Sequence, residues 1–143
     1  MSLAEPLPAP TLTELSFADG LVGFPSARRF TLIRWGDDPE TPFSVLRSLD
    51  DELEFVVVPP TVFFPDYVPE VDDATVARLG LADQDDALVL SIVTVGERPE
   101  DCTANLLGPV VVNLKTMAGA QSVQPADRWP VRQPLTAGTA KAA

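Results

Sequence analysis

The sequence contains no histidine among its 143 residues, and its only cysteine is Cys102. Histidine is the commonest general base and the commonest metal ligand, so its absence argues against both kinds of site. One thiol cannot form an internal disulfide or complete a zinc site, which suits a reducing compartment. Glu100 and Asp101 precede Cys102 and disfavour a reactive thiolate. We therefore expect no catalysis, no metal and no cofactor, with Cys102 as a packing residue.

Basic residues are also scarce. Ten Lys and Arg stand against twenty-one Asp and Glu, which gives a net charge of -11. A surface of that sign repels the phosphate backbone, so direct nucleic-acid binding is not expected. The same field steers a basic protein toward this one, which makes a basic protein partner the expectation.

Long apolar runs are missing as well. The longest, Ala87–Val95, contains Ser91 and Thr94 and falls short of the roughly 18 residues of a membrane-spanning helix. The first ten residues contain three prolines and no basic residue, which is unlike a secretory signal peptide. We expect a cytoplasmic protein without membrane contact.

Ligand-binding motifs are not evident in the loops. The acidic clusters Asp50–Glu52 and Asp83–Asp86 lack the alternating ligands, glycine and terminal glutamate of a calcium loop, so we interpret them as solvated turns. Gly20–Gly23 lacks the lysine and the spacing of a phosphate loop. A small β-barrel enzyme or ligand carrier is accordingly the least favoured class of function.

Short apolar segments bounded by Gly, Pro or Asp predict strands, and their number favours a mainly β fold. The predicted strands are Phe30–Trp35, Phe43–Leu49, Leu53–Val58, Leu88–Val95 and Pro109–Leu114. Leu88–Val95 is apolar on both faces, which places it at the centre of a closed or covered sheet. The expected fold is a small antiparallel β-barrel-like domain with one short helix.

The helix is predicted after Asp72 or Asp73, either of which can cap it, and Gly80 can provide its left-handed exit. Turns are expected at Gly96–Pro99 and Met117–Ala120. We expect residues 16–135 to form one domain, with flexible tails at 1–15 and 136–143.

Strict alternation also predicts which side chains face the core. In Phe43–Leu49 it places Val45 and Leu49 on one face, with Ser44 and Ser48 opposite. In the last predicted strand it points Asn113 outward.

Several longer segments carry a family resemblance. They are Phe17–Phe24, punctuated by glycines; Val62–Tyr67, after two prolines; Thr103–Pro109, which runs into the last predicted strand; and Trp129–Pro134. In this order and spacing they resemble the FliW family of flagellar assembly factors over about residues 16–135.

This resemblance implies a non-enzymatic protein that binds flagellin and also binds the translational repressor CsrA, releasing flagellin message for translation. A basic RNA-binding partner such as CsrA suits the acidic surface. The alternative is a flagellin-specific chaperone without CsrA regulation.

The candidate partner-binding residues combine aromatic rings with carboxylates: Phe63, Phe64, Asp66, Tyr67, Glu70, Asp72, Asp73 and Asn105. Strand alternation would send one of the two Phe rings outward, where it and Tyr67 would anchor a partner inside a charged rim. Alternatively, both Phe rings are core residues beneath a loop. The Asn105 amide is expected mainly to bond neighbouring backbone groups, and Asp72 and Asp73 mainly to cap the helix.

Overall fold

The computed structural model describes residues 11–36, 41–98, 101–125 and 127–135. These residues form nine strands and one α-helix, with two short 3-10 turns at Pro60–Val62 and Gln84–Asp86. The helix α1 is Asp73–Leu79, between the fourth and fifth strands. The strands are β1 (Leu12–Ser16), β2 (Arg29–Arg34), β3 (Ser44–Ser48), β4 (Glu54–Val58), β5 (Ala87–Thr94), β6 (Thr103–Ala104), β7 (Val110–Asn113), β8 (Ala118–Gln121) and β9 (Gln133–Pro134).

Seven of these strands close into a barrel in the order β1-β2-β3-β4-β5-β7-β8, because β4 pairs with β5 and β8 returns to β1. Neighbouring strands are antiparallel except β1 and β8, which are parallel and share the single pair Ser16 and Ala118. β6 and β9 continue the sheet outward from β5. The predicted mainly β, barrel-like architecture with one short helix is confirmed.

The five predicted strands are also confirmed, as β2, β3, β4, β5 and β7, each with boundaries within one residue of the prediction. β5 pairs with β4, β6 and β7, so it takes the central position that its apolar faces indicated. It can do so because both of its faces are covered by other parts of the chain.

Large side chains from opposite walls fill the barrel interior. Phe30, Leu32, Leu46 and Leu90 are all fully buried there. The rings of Phe17 and Phe30 meet edge to face, with centroids 5.3 Å apart. Burial of each such side chain contributes about 1.5–3 kcal/mol to the free energy of unfolding, so this interior is the main source of stability.

Helix α1 covers the outer face of β7 and β8. Its Leu79 packs against Val111 and Ala120, and Gly80 ends the helix with a φ of 67°. Asn113, predicted to point outward into solvent, is 2% exposed because α1 covers that face. Its amide donates a 2.8 Å hydrogen bond to the Leu79 carbonyl, so the prediction was wrong about its environment.

A second cluster lies outside β4 and β5. Val58 and Val93 point outward from these strands and are covered by Tyr67, Leu106 and the segment that begins with the 3-10 turn at Pro60–Val62. This layer holds most of the candidate partner-binding residues.

Two predictions about the segments that form β1 and β8 were wrong. The expected N-terminal tail reached residue 15, yet β1 is a barrel strand whose Leu12 and Leu15 belong to the core. The expected turn at Met117–Ala120 is largely strand β8, and only Met117 lies in a turn, with a φ of 61°. The remainder of the predicted first tail, residues 1–10, and the predicted tail 136–143 lie outside the described residues, as does Pro99 of the other expected turn.

The face of β3 that was predicted to be apolar is not the one inside the barrel, although its Val45 is also buried, at 8% exposed. Leu46 is fully buried in the barrel with Ser44 and Ser48 on its face, whereas Leu49 is 43% exposed. The alternation is present, but the two small serines lie on the inner side, where the larger rings leave little room.

Candidate partner-binding surface

The segment after β4 starts with Pro59 and Pro60 and turns at once into a 3-10 conformation. The amides of Phe63 and Phe64 both donate to the Pro60 carbonyl, at 3.1 and 2.8 Å. Phe63 therefore has helical backbone angles, and the strand alternation assumed for the two rings does not apply. Both rings are half-buried against the cluster outside β4 and β5. This arrangement is closer to the expected core rings beneath a loop, although neither ring is fully covered.

These two rings continue an aromatic row that starts on the β2–β3 hairpin. Trp35 packs edge to face on Phe43 with centroids 5.8 Å apart, Phe43 lies 5.8 Å from Phe63, and Phe63 lies 6.3 Å from Phe64. Trp35 is 44% exposed. We call these four residues the aromatic row; it is a partly exposed apolar strip of the kind that anchors protein partners.

Tyr67 lies behind the row instead of in it. Its side chain is only 3% exposed, and its hydroxyl donates a 2.6 Å hydrogen bond to the Leu106 carbonyl. Its ring meets Trp129 edge to face with centroids 4.7 Å apart. Burial raises the pKa of the phenol far above its ordinary value. The expectation that Tyr67 presents an exposed ring was therefore wrong; it fastens the loop to the segment before β7.

The carboxylates of Asp66, Glu70 and Asp73 are exposed along the same segment. Glu70 is held in place by its backbone, which exchanges two 2.7 Å hydrogen bonds with the side-chain amide of the buried Gln124. Its carboxylate forms an exposed 3.1 Å ion pair with Arg128. The segment thus presents three carboxylates, of which that of Glu70 is already paired with Arg128, from a backbone that is fixed at its middle.

Asp72 has the capping role that the sequence predicted. Its carboxylate accepts hydrogen bonds from the Thr75 hydroxyl at 2.6 Å and from the Thr75 amide at 3.2 Å. These bonds favour the charged form of the carboxylate and lower the pKa of Asp72, and the bond from the Thr75 hydroxyl has the largest effect. Asp73 follows in the first turn of α1, where a negative charge complements the helix dipole.

Asn105 likewise has the expected local role. Its side-chain oxygen accepts a 2.9 Å hydrogen bond from the Gly108 amide, which closes the turn into β7. The Gly108 carbonyl in turn accepts a 2.8 Å hydrogen bond from the side-chain amide of Gln121. The side-chain oxygen of Gln121 accepts a 2.9 Å hydrogen bond from the Val22 amide. Through Gln121 and through the bond from Tyr67 to Leu106, the segments that carry the family resemblance are connected in space.

The sequence reasoning missed several members of this surface. Trp35 and Phe43 are far from Phe63 in sequence, and only the pairing of β2, β3 and β4 brings them together. Trp129 belongs to the last of the four family segments, but nothing in the sequence indicates that it packs on Tyr67. Nothing in the sequence around Gln124 indicates that it is buried, because its burial depends on hydrogen bonds to the backbone of Glu70, which is distant in sequence.

Among the residues that the structure describes, no group of three or more Cys, Asp or Glu side chains could hold a metal ion. Within the same ranges no helix is long and apolar enough to cross a membrane. An aromatic strip that ends at Phe64, with exposed carboxylates on the segment that follows, is suited to contact another protein.

Comparison with known proteins identifies the family. A family described as FliW protein matches residues 7–135 of the chain. The chain belongs to the FliW family. It is 37% identical over 120 residues to the flagellar assembly factor FliW of Bacillus licheniformis, covering 83% of this chain and 82% of that protein. It is 36% identical over 123 residues to the same factor of Leptospira interrogans, covering 85% and 81%.

A crystal structure of the flagellar assembly factor FliW has the same fold, with a TM-score of 0.79 and 31% sequence identity over 86% of this chain and 85% of that one. The resemblance in the four sequence segments is thus confirmed, and the FliW match begins before β1, which agrees with the inclusion of that strand in the barrel. This FliW-family protein is a flagellar assembly factor.

Proposed function

We propose that this protein acts by binding two proteins in turn, flagellin and the translational repressor CsrA, in the cytoplasm and without catalysing a reaction. Binding of CsrA relieves its repression of flagellin translation, and binding of flagellin assists assembly of the flagellum. Since each partner displaces the other, flagellin that has accumulated leaves CsrA free to repress.

The observation that supports this proposal is that Asp66, Glu70 and Asp73 are all exposed on the segment that follows Phe63 and Phe64 in the chain. A repressor that binds RNA needs a basic surface, and exposed carboxylates on a chain of net charge -11 attract such a surface. The effect on the association rate is expected to exceed the effect on affinity, because exposed charges act mainly through steering.

The aromatic row supports the second part of the proposal. Phe63 and Phe64 are half-buried, so each ring offers apolar contact area while it still packs on the core. Trp35, at the Phe43 end of the row, adds a large ring that is 44% exposed. We propose that an apolar segment of unassembled flagellin packs on this row.

The test is binding of purified CsrA and flagellin from the same organism, each alone and then together, at two salt concentrations. The carboxylate variant is Asp66→Asn/Glu70→Gln/Asp73→Asn, which leaves the Asp72 cap intact. We expect slower, less salt-sensitive association with CsrA and a smaller change for flagellin.

A matched control, Glu52→Gln/Asp85→Asn/Glu97→Gln, removes the same charge from exposed positions in other loops. Equal effects of the two variants on CsrA would contradict a local acidic surface. Binding of flagellin without CsrA would make the protein a flagellin chaperone only, and failure to bind either partner would refute the proposal.

A further inference from the structure

A groove of about 310 Å³ lies where the end of β1, the start of β2 and the end of α1 meet. Its floor is formed by the buried Phe17 and Leu79, which are 0% and 3% exposed, and its accessible lining includes Ala18, Ala118, Arg28, Arg29 and Arg78. It is separate from the aromatic row and from the carboxylates at the other end of α1.

The charge of this groove is opposite to that of the chain. Three of the ten basic residues line it, although the chain carries a net charge of -11. Arginines grouped in this way favour a carboxylate ligand, because each guanidinium presents a planar fork of donors that matches the two oxygens of a carboxylate.

Two of the three arginines already hold a carboxylate of the same chain. Arg29 contacts both oxygens of Asp50, the longer bond being 3.2 Å, and Arg78 pairs with Asp19. The guanidinium of Arg28 has no hydrogen bond or ion pair with any other described residue. The groove therefore contains one unpaired cation and two that are paired at its exposed rim.

We propose that this groove binds an acidic segment of a partner protein, with an apolar side chain against Ala18 and Ala118 and a carboxylate on Arg28. A second carboxylate takes Arg78 by displacing Asp19, whose side chain is 70% exposed and thus easily displaced. The inference does not depend on the proposed function, because it concerns an acidic ligand at a different place.

A peptide is favoured over a nucleic acid for two reasons. A polyanion that extended beyond the groove would meet the negative surface of the rest of the chain, whereas a short segment with two or three carboxylates would not. The accessible Ala18 and Ala118 also have no role in holding phosphates, but they can contact a small aliphatic side chain between two acidic ones.

The probe is a fluorescein-labelled peptide, acetyl-Glu-Leu-Glu-Leu-Glu-amide, titrated with the full chain at low salt and followed by anisotropy. The matched peptide with Gln in place of each Glu is expected to bind about tenfold more weakly. Amide chemical shifts of Ala18 and Leu79 are expected to move on binding. Equal binding of the two peptides would overturn the proposal.

Three variants make the test specific, and two of them are expected to act in opposite directions. Arg28→Gln weakens binding about fivefold by removing the unpaired cation, and Asp19→Asn strengthens it by about twofold to threefold by freeing Arg78. The control Arg34→Gln removes an exposed arginine from the other end of β2 and leaves the affinity unchanged.

An unchanged affinity in Arg28→Gln, with its thermal unfolding also unchanged, would overturn the proposal, and so would weaker binding in Asp19→Asn. Tighter binding of a labelled hexa-adenylate than of the acidic peptide would overturn it in favour of a phosphate site. None of these results depends on whether CsrA or flagellin binds, so the two proposals fail separately.

Discussion

Replacement of Tyr67 by Phe removes one hydroxyl and leaves the ring that packs on Trp129. The hydroxyl is buried and donates 2.6 Å to the Leu106 carbonyl, which would then lose its side-chain partner inside the protein. Leaving a buried acceptor unpaired costs about 1–3 kcal/mol, so we expect a loss of about 2 kcal/mol in the free energy of unfolding. For a chain of this size that corresponds to a fall in Tm of about 6 °C.

The same hydroxyl makes stability depend on alkaline pH. Burial raises the pKa of Tyr67 in the folded state, while the unfolded phenol ionises near about pH 10. Its contribution is therefore complete below that pH and is lost progressively above it, because only the unfolded state releases the proton. Tyr67 is the only tyrosine in the sequence, so tyrosinate absorbance reports on this group alone.

Urea unfolding of the wild type and of Tyr67→Phe, each measured from neutral to alkaline pH, checks both effects. We expect the two stability curves to converge as the pH rises above about 10, because the variant lacks the titrating group. A difference below about 0.5 kcal/mol at neutral pH would be the size of an ordinary surface substitution, and would refute the buried hydrogen bond.

Three further substitutions test other parts of the fold. In Gly119→Ala the new Cβ would lie 2.5 Å from the ring of the buried Phe17, so we expect a loss of about 1–3 kcal/mol in urea unfolding. Asn113→Ala removes the buried bond to α1 and should cost about 2 kcal/mol by the same measurement. Asp72→Ala removes the N-cap of α1, which bonds Thr75. Because the pKa of Asp72 is lowered in the folded state, the wild type loses the stability that this carboxylate contributes as the pH falls below about 4, and the variant lacks that contribution at every pH. Unfolding followed by circular dichroism across this pH range measures the difference.

The sequence predicted the strands that alternate or are rich in Val, Leu and Phe, and it missed those whose strand state depends on the rest of the barrel. β8 reads Ala-Gly-Ala-Gln, which has little intrinsic strand preference, and Gly119 is required there only because Phe17 occupies the space above it. β1 was obscured by the prolines before it. The two-residue strands β6 and β9 are too short to give any pattern.

The candidate surface was predicted in part for a similar reason. The local roles of Asp72 and Asn105 could be predicted because their partners are within a few residues in sequence. The burial of Tyr67 could not, since Leu106 and Trp129 come from distant segments. Whether Phe63, Phe64, Asp66, Glu70, Asp73 and Asn105 contact a partner stays a prediction, and the carboxylate variant tests the acidic members.

The closure of the barrel determines how much of the chain must be synthesised before this fold can be completed. β1 pairs with β8 through Ser16 and Ala118, and the loop beside the aromatic row is fixed only when Leu106 and Trp129 are available to Tyr67. Such non-local pairings form late and slowly, since much of the chain must be ordered before they contribute. A ribosome-bound chain from which Trp129 has not yet emerged therefore lacks the contacts that fix this loop, and the loop takes its final form only after residues 12–129 have left the ribosome.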